Sequence, residues 1–315
     1  MILTVTPNPS LDRTYEVPFL ERGEVLRASS ERLDPGGKGV NVSRAVAAAG
    51  HATTAVMPLG GAPGALIAEL LSGQGIDVTA VKITGQTRSN IAIAEPAGTL
   101  TKINAPGPEL TATESGLLLD TVRTHSLDAD WIACCGSLPR GVGPQWYAEL
   151  VARVHEAGAR IALDTSGPAL LAALGERPDV VKPNAEELAA AVGRRLTTVG
   201  DALEAARELR SRGAAAVLAS LGADGQLLLD SSGTYFGCAA VAVVRSNVGA
   251  GDASLAGFLT AGGTGPDALA AAVAHGAAAV QLPGSVMPAP ADLDPSSVTV
   301  TEDVPLDRAL TEPTI

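Results

Sequence analysis

Residues 131–184 read WIACCGSLPRGVGPQWYAELVARVHEAGARIALDTSGPALLAALGERPDVVKPN. Apolar runs at 130–135, 160–164 and 179–182 are too short for helices, and each ends in a polar or glycine-bearing turn. Helical patterns at 144–157 and 167–173 separate them. Short runs without alternation are strands buried on both faces, and the helices between them carry the chain back to the same edge. Such right-handed returns build a mainly parallel sheet with helices on both sides, a three-layer α/β/α fold. The pattern extends outward. A helix over 113–125 precedes it, and helices over 185–191 and 200–212, a strand over 215–220, a hairpin over 226–243 and helices over 252–262 and 266–281 follow. Nearer the start, strands at 2–6 and 53–59 bracket an Ala-rich helix over 40–49, and a helix over 65–72 comes next.

Two segments, 13–35 and 78–104, carry strand patterns with no helix between the runs, which predicts one small sheet beside the main body. The expected organisation is a main domain over 1–290, with the small sheet drawn from about 13–35 and 85–105. The tail over 291–315 is acidic and contains prolines, and loose packing is expected there. The chain has 315 residues, 46% hydrophobic but only 3% aromatic, so Ala, Val and Leu must fill its core. A net charge of −12 argues against nucleic-acid and anionic-membrane partners. The beginning lacks a basic, apolar leader, and no run reaches the ~18 apolar residues of a membrane helix. Three cysteines without CxxC spacing suggest neither zinc nor disulfides. A cytoplasmic protein is expected.

Ligands on parallel sheets bind beyond the C-terminal strand ends, where the glycine-rich motifs of this chain fall. Gly249-Ala250-Gly251-Asp252 opens a predicted helix. Its converging amides make an anion hole for phosphate, and Asp252 is placed to take a proton from an attacking hydroxyl; an ordinary N-cap aspartate would look the same. Asn184 and Glu187, three apart after Lys182-Pro183, suit a water-mediated Mg²⁺ site or a simple capping box. The turn Ser220-Leu221-Gly222-Ala223-Asp224-Gly225 suits nucleotide phosphates or a plain hairpin. Gly36-Gly37-Lys38-Gly39 with Asn41 suits a sugar or its phosphate, and lacks the Gly-Lys-Ser/Thr order of a Walker A loop. Arg27, Arg88 and Lys102 are candidate phosphate ligands, and Ser137 follows a strand where it could meet a substrate.

In this order, Asn8-Pro-Ser-Leu-Asp12, Gly36-Gly-Lys-Gly39 with Asn41, Lys182-Pro-Asn184 with Glu187, and Gly249-Ala-Gly-Asp252 closely resemble the ribokinase-like, or phosphofructokinase B, carbohydrate kinases. The resemblance runs from residue 1 to about 290. Thr4-Val-Thr-Pro-Asn-Pro-Ser-Leu-Asp-Arg-Thr, Thr87-Arg-Ser-Asn-Ile and Thr101-Lys-Ile-Asn-Ala-Pro-Gly-Pro are most similar to the 1-phosphofructokinase branch, with tagatose-6-phosphate kinases as a sibling. The resemblance implies a small β-sheet lid, Mg-ATP as phosphoryl donor, a small phosphorylated ketose as acceptor, and a homodimer through the lids. It implies Asp252 as base and Gly249, Ala250 and Gly251 as anion hole. Asp12, Gly36, Gly37, Lys38 and Asn41 would bind the sugar, and Arg88, Ser137, Lys102 and Arg27 its phosphate. Lys182, Asn184, Ser220, Gly222, Ala223, Asp224, Gly225 and Gly251 would hold ATP, with Asn184 and Glu187 toward Mg²⁺. Ala105 departs from the glutamate expected between Asn104 and Pro106. The expected reaction is phosphorylation of fructose 1-phosphate at its 6-hydroxyl, with tagatose 6-phosphate or fructose 6-phosphate as alternative acceptors and a non-catalytic binding regulator as the rival from another class.

Overall fold

A computed structural model describes residues 1–96 and 98–314. Ala97, within the expected small sheet, and Ile315, at the end of the expected tail, lie outside the described residues. In chain order the elements are β1 (Ile2–Val5), β2 (Ser10–Glu16), β3 (Ser30–Gly36), α1 (Lys38–Ala48), β4 (Thr53–Leu59), α2 (Gly61–Ser72), β5 (Asp77–Lys82), β6 (Arg88–Ala94), β7 (Leu100–Ile103), α3 (Ala112–Ser126), β8 (Trp131–Cys135), α4 (Gln145–Glu156), β9 (Arg160–Asp164), α5 (Gly167–Leu174), β10 (Val180–Val181), α6 (Ala185–Val192), α7 (Val199–Ser211), β11 (Ala216–Ser220), β12 (Gln226–Leu229), β13 (Thr234–Ala239), α8 (Ala250–Thr260), α9 (Gly265–Ala279) and β14 (Val298–Thr301).

The main sheet runs β14-β13-β12-β11-β10-β9-β8-β1-β4-β5. It is parallel from β11 to β5 and antiparallel at the β12–β14 end. Strand alternation sends neighbouring side chains to opposite faces, so β8 can be buried twice. Its Ile132 and Cys134 join a core with Leu150 and Val154 of α4, while Trp131, Ala133 and Cys135 join Leu255 and Phe258 of α8. Helices α3–α7 thus cover one face, and α1, α8 and α9 the other. This is the expected three-layer arrangement.

The second sheet runs β3-β2-β6-β7, with β2 and β6 parallel. It begins at Ser10, ahead of residue 13, and Leu11 and Leu33 seat it on α1, α2 and β4. The strand-rich segment 78–104 divides between sheets: its first run is β5, which pairs with β4 at the edge of the main sheet. All four connections between the sheets, β1–β2, β3–α1, β5–β6 and β7–α3, lie at one end of the main sheet.

Loose packing after Pro288 is corrected by the structure. β14 pairs with β13, Leu310 is buried, and Leu310 and Thr314 donate backbone bonds to Thr197 and Leu196. Single apolar anchors and backbone pairing hold this segment, so no hydrophobic period advertises it. No helix among the described residues is long and apolar enough to cross a membrane.

Candidate active site

Helix α8 starts immediately after Gly249, whose φ of 82° is left-handed and favours glycine. The turn leaves Asp252 in the first helical turn, where the positive end of the helix favours an anion. Asp252 is only 6% exposed. Asn41, from α1, donates its Nδ2 to Asp252 Oδ2 at 2.9 Å. Expected as a sugar ligand, Asn41 therefore also orients the carboxylate, across 211 residues of chain. Burial first, and then repulsion from Asp164, push the Asp252 carboxyl up to about 6, against the pull of Lys182 and the Asn41 bond. It is still mostly ionised at neutral pH.

Beside it lies a compact charge cluster. Asp164, the last residue of β9, is almost fully enclosed, and Lys38 Nζ donates to its Oδ1 at 2.7 Å. Lys182, which follows β10, brings its Nζ within 2.8 Å of Asp164 Oδ2. Lys38 also reaches Glu187 Oε1 at 3.3 Å. Burial raises the Asp164 carboxyl, but Lys182 and Lys38 outweigh it and hold the group below its ordinary value. Both lysines are kept firmly protonated: burial opposes this, and Asp164 prevails. A side-chain carbon on Gly251 would lie 3.2 Å from Lys182 Nζ, so the second lysine stands against the start of α8. Asp164 was not among the expected site residues. Its sequence signal was an aspartate closing a strand ahead of Thr-Ser-Gly-Pro.

In the small sheet, Asp12 Oδ1 accepts from Ser10 Oγ at 2.7 Å and from Asn90 Nδ2 at 2.9 Å. Gly36 lies so close that a side-chain carbon there would meet Asp12 Oδ2 at 2.3 Å. The other carboxylate oxygen of Asp12 therefore faces the glycine loop. Ser10 and Asn90, unassigned in the sequence, set that orientation. Lys38, expected to bind the sugar, pairs with Asp164 and Glu187.

Arg88 spends its guanidinium on backbone carbonyls: Ala105 at 2.8 Å, Asn8 at 2.8 Å and Pro9 at 3.4 Å. It ties the connections between the two sheets and lines an open cleft of about 730 Å³ with Thr87, Ala105, Pro106 and Arg140. Ser137, Lys102 and Arg27 are exposed, and among the described contacts none of them makes a side-chain hydrogen bond or ion pair.

Asn184 and Glu187 form a capping box, with Asn184 Oδ1 accepting from Glu187 N and Glu187 Oε2 from Asn184 N. Ser220 bridges to Asn184, which brings the Gly222–Gly225 turn beside Lys182. Gly222 and Ala223 are exposed on that turn, but the Asp224 side chain points inward. Its carboxylate accepts from Thr311 N at 2.7 Å and Thr311 Oγ1 at 2.8 Å. A carboxylate doubly bonded inside the fold leaves Asp224 its backbone to present to a ligand.

The arrangement sets an oriented carboxylate beside a helix N-terminus, with two lysines and a glycine-rich turn on one side and Asp12 against the Gly36–Gly37 loop on the other. It can deprotonate a hydroxyl next to a bound anion. The sequence matches the family described as pfkB family carbohydrate kinase over residues 6–292. It is 40% identical over 268 residues to a 1-phosphofructokinase of Rhodobacter capsulatus, covering 84% of this chain and 85% of that one. It is 38% identical over 294 residues to a 1-phosphofructokinase of Haloferax volcanii, covering 91% and 93%. Phosphofructokinase-2 from Escherichia coli in complex with fructose-6-phosphate superposes with a TM-score of 0.84 at 32% identity, covering 92% of this chain and 96% of that chain. With the ordered motifs, the two-sheet fold and the Asp252 site in agreement, the chain belongs to the pfkB family of carbohydrate kinases.

Proposed function

We propose that the protein transfers the γ-phosphoryl group of ATP to the 6-hydroxyl of fructose 1-phosphate, giving fructose 1,6-bisphosphate and ADP. The observation that carries this is Asp252: buried, oriented by Asn41, and ionised above about pH 6 at the start of α8. In the reaction Asp252 takes the hydroxyl proton as the oxygen bonds to the γ-phosphorus and the bond to the β–γ bridging oxygen breaks. Amides at Gly249–Gly251 and the Lys38 and Lys182 ammonium groups offset charge on the transferring group, where most phosphoryl-transfer catalysis lies. Asp12 and the Gly36–Gly37 loop hold the sugar. Arg88, on the same face of the small sheet, meets its phosphate through the N–H groups that the three carbonyl bonds leave over, and Ser137, Lys102 and Arg27 are exposed to approach it. ATP lies along Lys182, Asn184, Ser220 and the exposed Gly222–Ala223 edge.

No group of three or more His, Cys, Asp or Glu residues that could cage a metal occurs among the described residues. That donor set fits an Mg²⁺ ion arriving on the nucleotide and held through water by Glu187, with the Asn184 side chain engaged in its cap. Bound there, the ion neutralises phosphate charge. The small sheet would close over the sugar and exclude water as a competing acceptor. Its exposed Phe19, Val25, Leu100 and Ile103 suit burial against a second copy. The acidic charge and the lack of a membrane-crossing helix among the described residues are in keeping with a cytoplasmic enzyme.

A second reading, fructose 6-phosphate as acceptor, is favoured by the similarity to a phosphofructokinase solved with that sugar. Comparing kcat/KM for ADP release on fructose 1-phosphate, fructose 6-phosphate and tagatose 6-phosphate decides between them. Fructose 1-phosphate is expected to lead by at least tenfold. A lead for either other sugar reassigns the acceptor, and no turnover with any of them refutes a sugar-phosphate kinase.

A further inference from the structure

We propose that residues 306–314 hold the Leu221–Gly225 turn in the shape that accepts ATP, with Thr311 and Asp224 as positioning residues for the nucleotide. This rests on the reading of that turn as part of the nucleotide site.

The turn is intrinsically loose. Gly222 and Gly225 both have left-handed φ, at 61° and 122°, and two glycines carry a large freedom that folding must remove. Within the turn only two backbone bonds restrain it, Asp224 N to Leu221 O and Leu221 N to Gly225 O. Leu221 sets the start of the turn in the core, its one buried polar side chain is Asp224, and the Asp224 carboxylate accepts both the backbone N–H and the hydroxyl of Thr311. Hydrogen bonds to a charged acceptor are about twice as strong as neutral ones. Arg308 adds a charge 3.9 Å from Asp224 Oδ1 and stacks over Phe236 of β13.

The segment is itself firmly placed. Leu310 is 5% exposed. Val199 N donates to Arg308 O, Leu310 N to Thr197 O, and Leu196 N to Thr314 Oγ1. Thr311 therefore stands on a fixed backbone, anchored to the α6–α7 connection, and passes that rigidity to the turn. Two points make the nucleotide the ligand concerned. Ser220, just before the turn, bridges to Asn184, and Gln226, just after it, accepts from Ser254 of α8. The contacts to Asp12 and Gly36 come from other elements. Segment 306–314 lies outside the residues 6–292 that match the family.

The test measures KM for ATP and for whichever of the three sugar phosphates is turned over, in Thr311→Val, Thr311→Ser and Asp224→Ala, beside melting temperature. Thr311→Val removes one bond to Asp224 at nearly constant volume. The expected result is a KM for ATP raised roughly 3- to 10-fold, with the sugar KM and kcat within about twofold of the parent, and restoration by Thr311→Ser. A merely structural role would lower the melting temperature and the active fraction, and leave the ATP KM in place. An unchanged ATP KM in Thr311→Val overturns the proposal even where Asp224→Ala fails to fold. Ala223→Glu, which puts a negative charge on the exposed edge of the turn, separates the two levels. If it raises the ATP KM while Thr311→Val does not, the latch is wrong and the turn keeps its nucleotide role. If it has no effect either, the nucleotide reading of the turn falls.

Discussion

Replacing Asp252 by asparagine should abolish catalysis and stabilise the fold at once. The amide keeps the shape of the side chain, and its oxygen can still accept from Asn41 Nδ2. What disappears is the proton acceptor. General-base catalysis contributes roughly 10²–10⁴-fold, so kcat should fall by that factor, or about 3–5 kcal/mol of barrier. Stability moves the other way. The Asp252 carboxyl titrates at about 6 in the fold against an ordinary 3.8. The folded chain thus holds a proton that the unfolded chain releases, and stability is lost as pH rises from about 4 to about 6. At pH 7 the ionised group costs about 3 kcal/mol, which a neutral amide relieves. A melting temperature higher by up to roughly 5 °C follows. The assay pairs coupled ADP release at saturating substrates with thermal melts at pH 7, with and without ATP. ATP should still raise the melting temperature of Asp252→Asn. Turnover within about tenfold of the parent, or a variant that melts several degrees lower, would refute the reasoning.

Activity should also follow the Asp252 proton: log kcat/KM should decline below about pH 6, since the protonated acid cannot accept another proton. A flat profile down to pH 5 would exclude Asp252 as the titrating base. In Asp164→Asn that acid limb should move to lower pH, because a repelling neighbour becomes neutral and Lys182 and Lys38 are left facing Asp252. The same variant takes the ion-pair partner from buried Lys182, leaves Lys38 with Glu187 alone, and should lose about 3–5 kcal/mol in urea unfolding. Glu114→Ala tests the joint between β5 and α3, where Glu114 accepts from the backbone and hydroxyl groups of Thr84 and Thr111. These bonds, the Thr84 amide first, hold its carboxyl down at about 2. They contribute stability above about pH 4.5 that is lost as pH falls toward 2. The variant should be destabilised by about 1–3 kcal/mol at pH 7, and the difference from the parent should shrink in acid.

The parallel body was legible because β8 and β9 carry apolar side chains to both faces, and helices of recognisable period separate them. β5 was legible as a strand but not as a member of the main sheet, since VTAVKI states a conformation and leaves its partner open. Its register against β4 is decided by tertiary packing. Segment 306–314 carried no periodic signal, because one leucine, two threonines and backbone bonds to the α6–α7 connection hold it. Within the site, Asp252 and Lys38 were visible through glycine-rich spacing, and Lys182 through the Lys-Pro-Asn turn that closes its strand. Asp164 was harder to find because its role arises from meeting Lys38 across 126 residues, a distance over which no local pattern extends. Asn41 looked like a sugar ligand for the same reason: its bond to Asp252 exists only after α1 and α8 have packed.

The parallel pairing of β2 with β6 has a consequence for the order of assembly. Residues Ser10–Glu16 register against Arg88–Ala94, so α1, β4, α2 and β5 lie inside the loop that this pairing closes. Closing a loop of that length costs entropy that local contacts do not repay, and non-local pairings of this kind form slowly. The small sheet should therefore dock late in folding, onto a main body already built. It is also an early place to open, since four short strands and a few anchors such as Leu11 hold it and much of it is solvent-facing. Asp12 and Arg88 travel with it, so mild denaturant should erase the proposed sugar site while the proposed nucleotide side and most helices persist. Under stress this kinase would forfeit its acceptor before its donor, and its loss of activity would come ahead of its loss of fold.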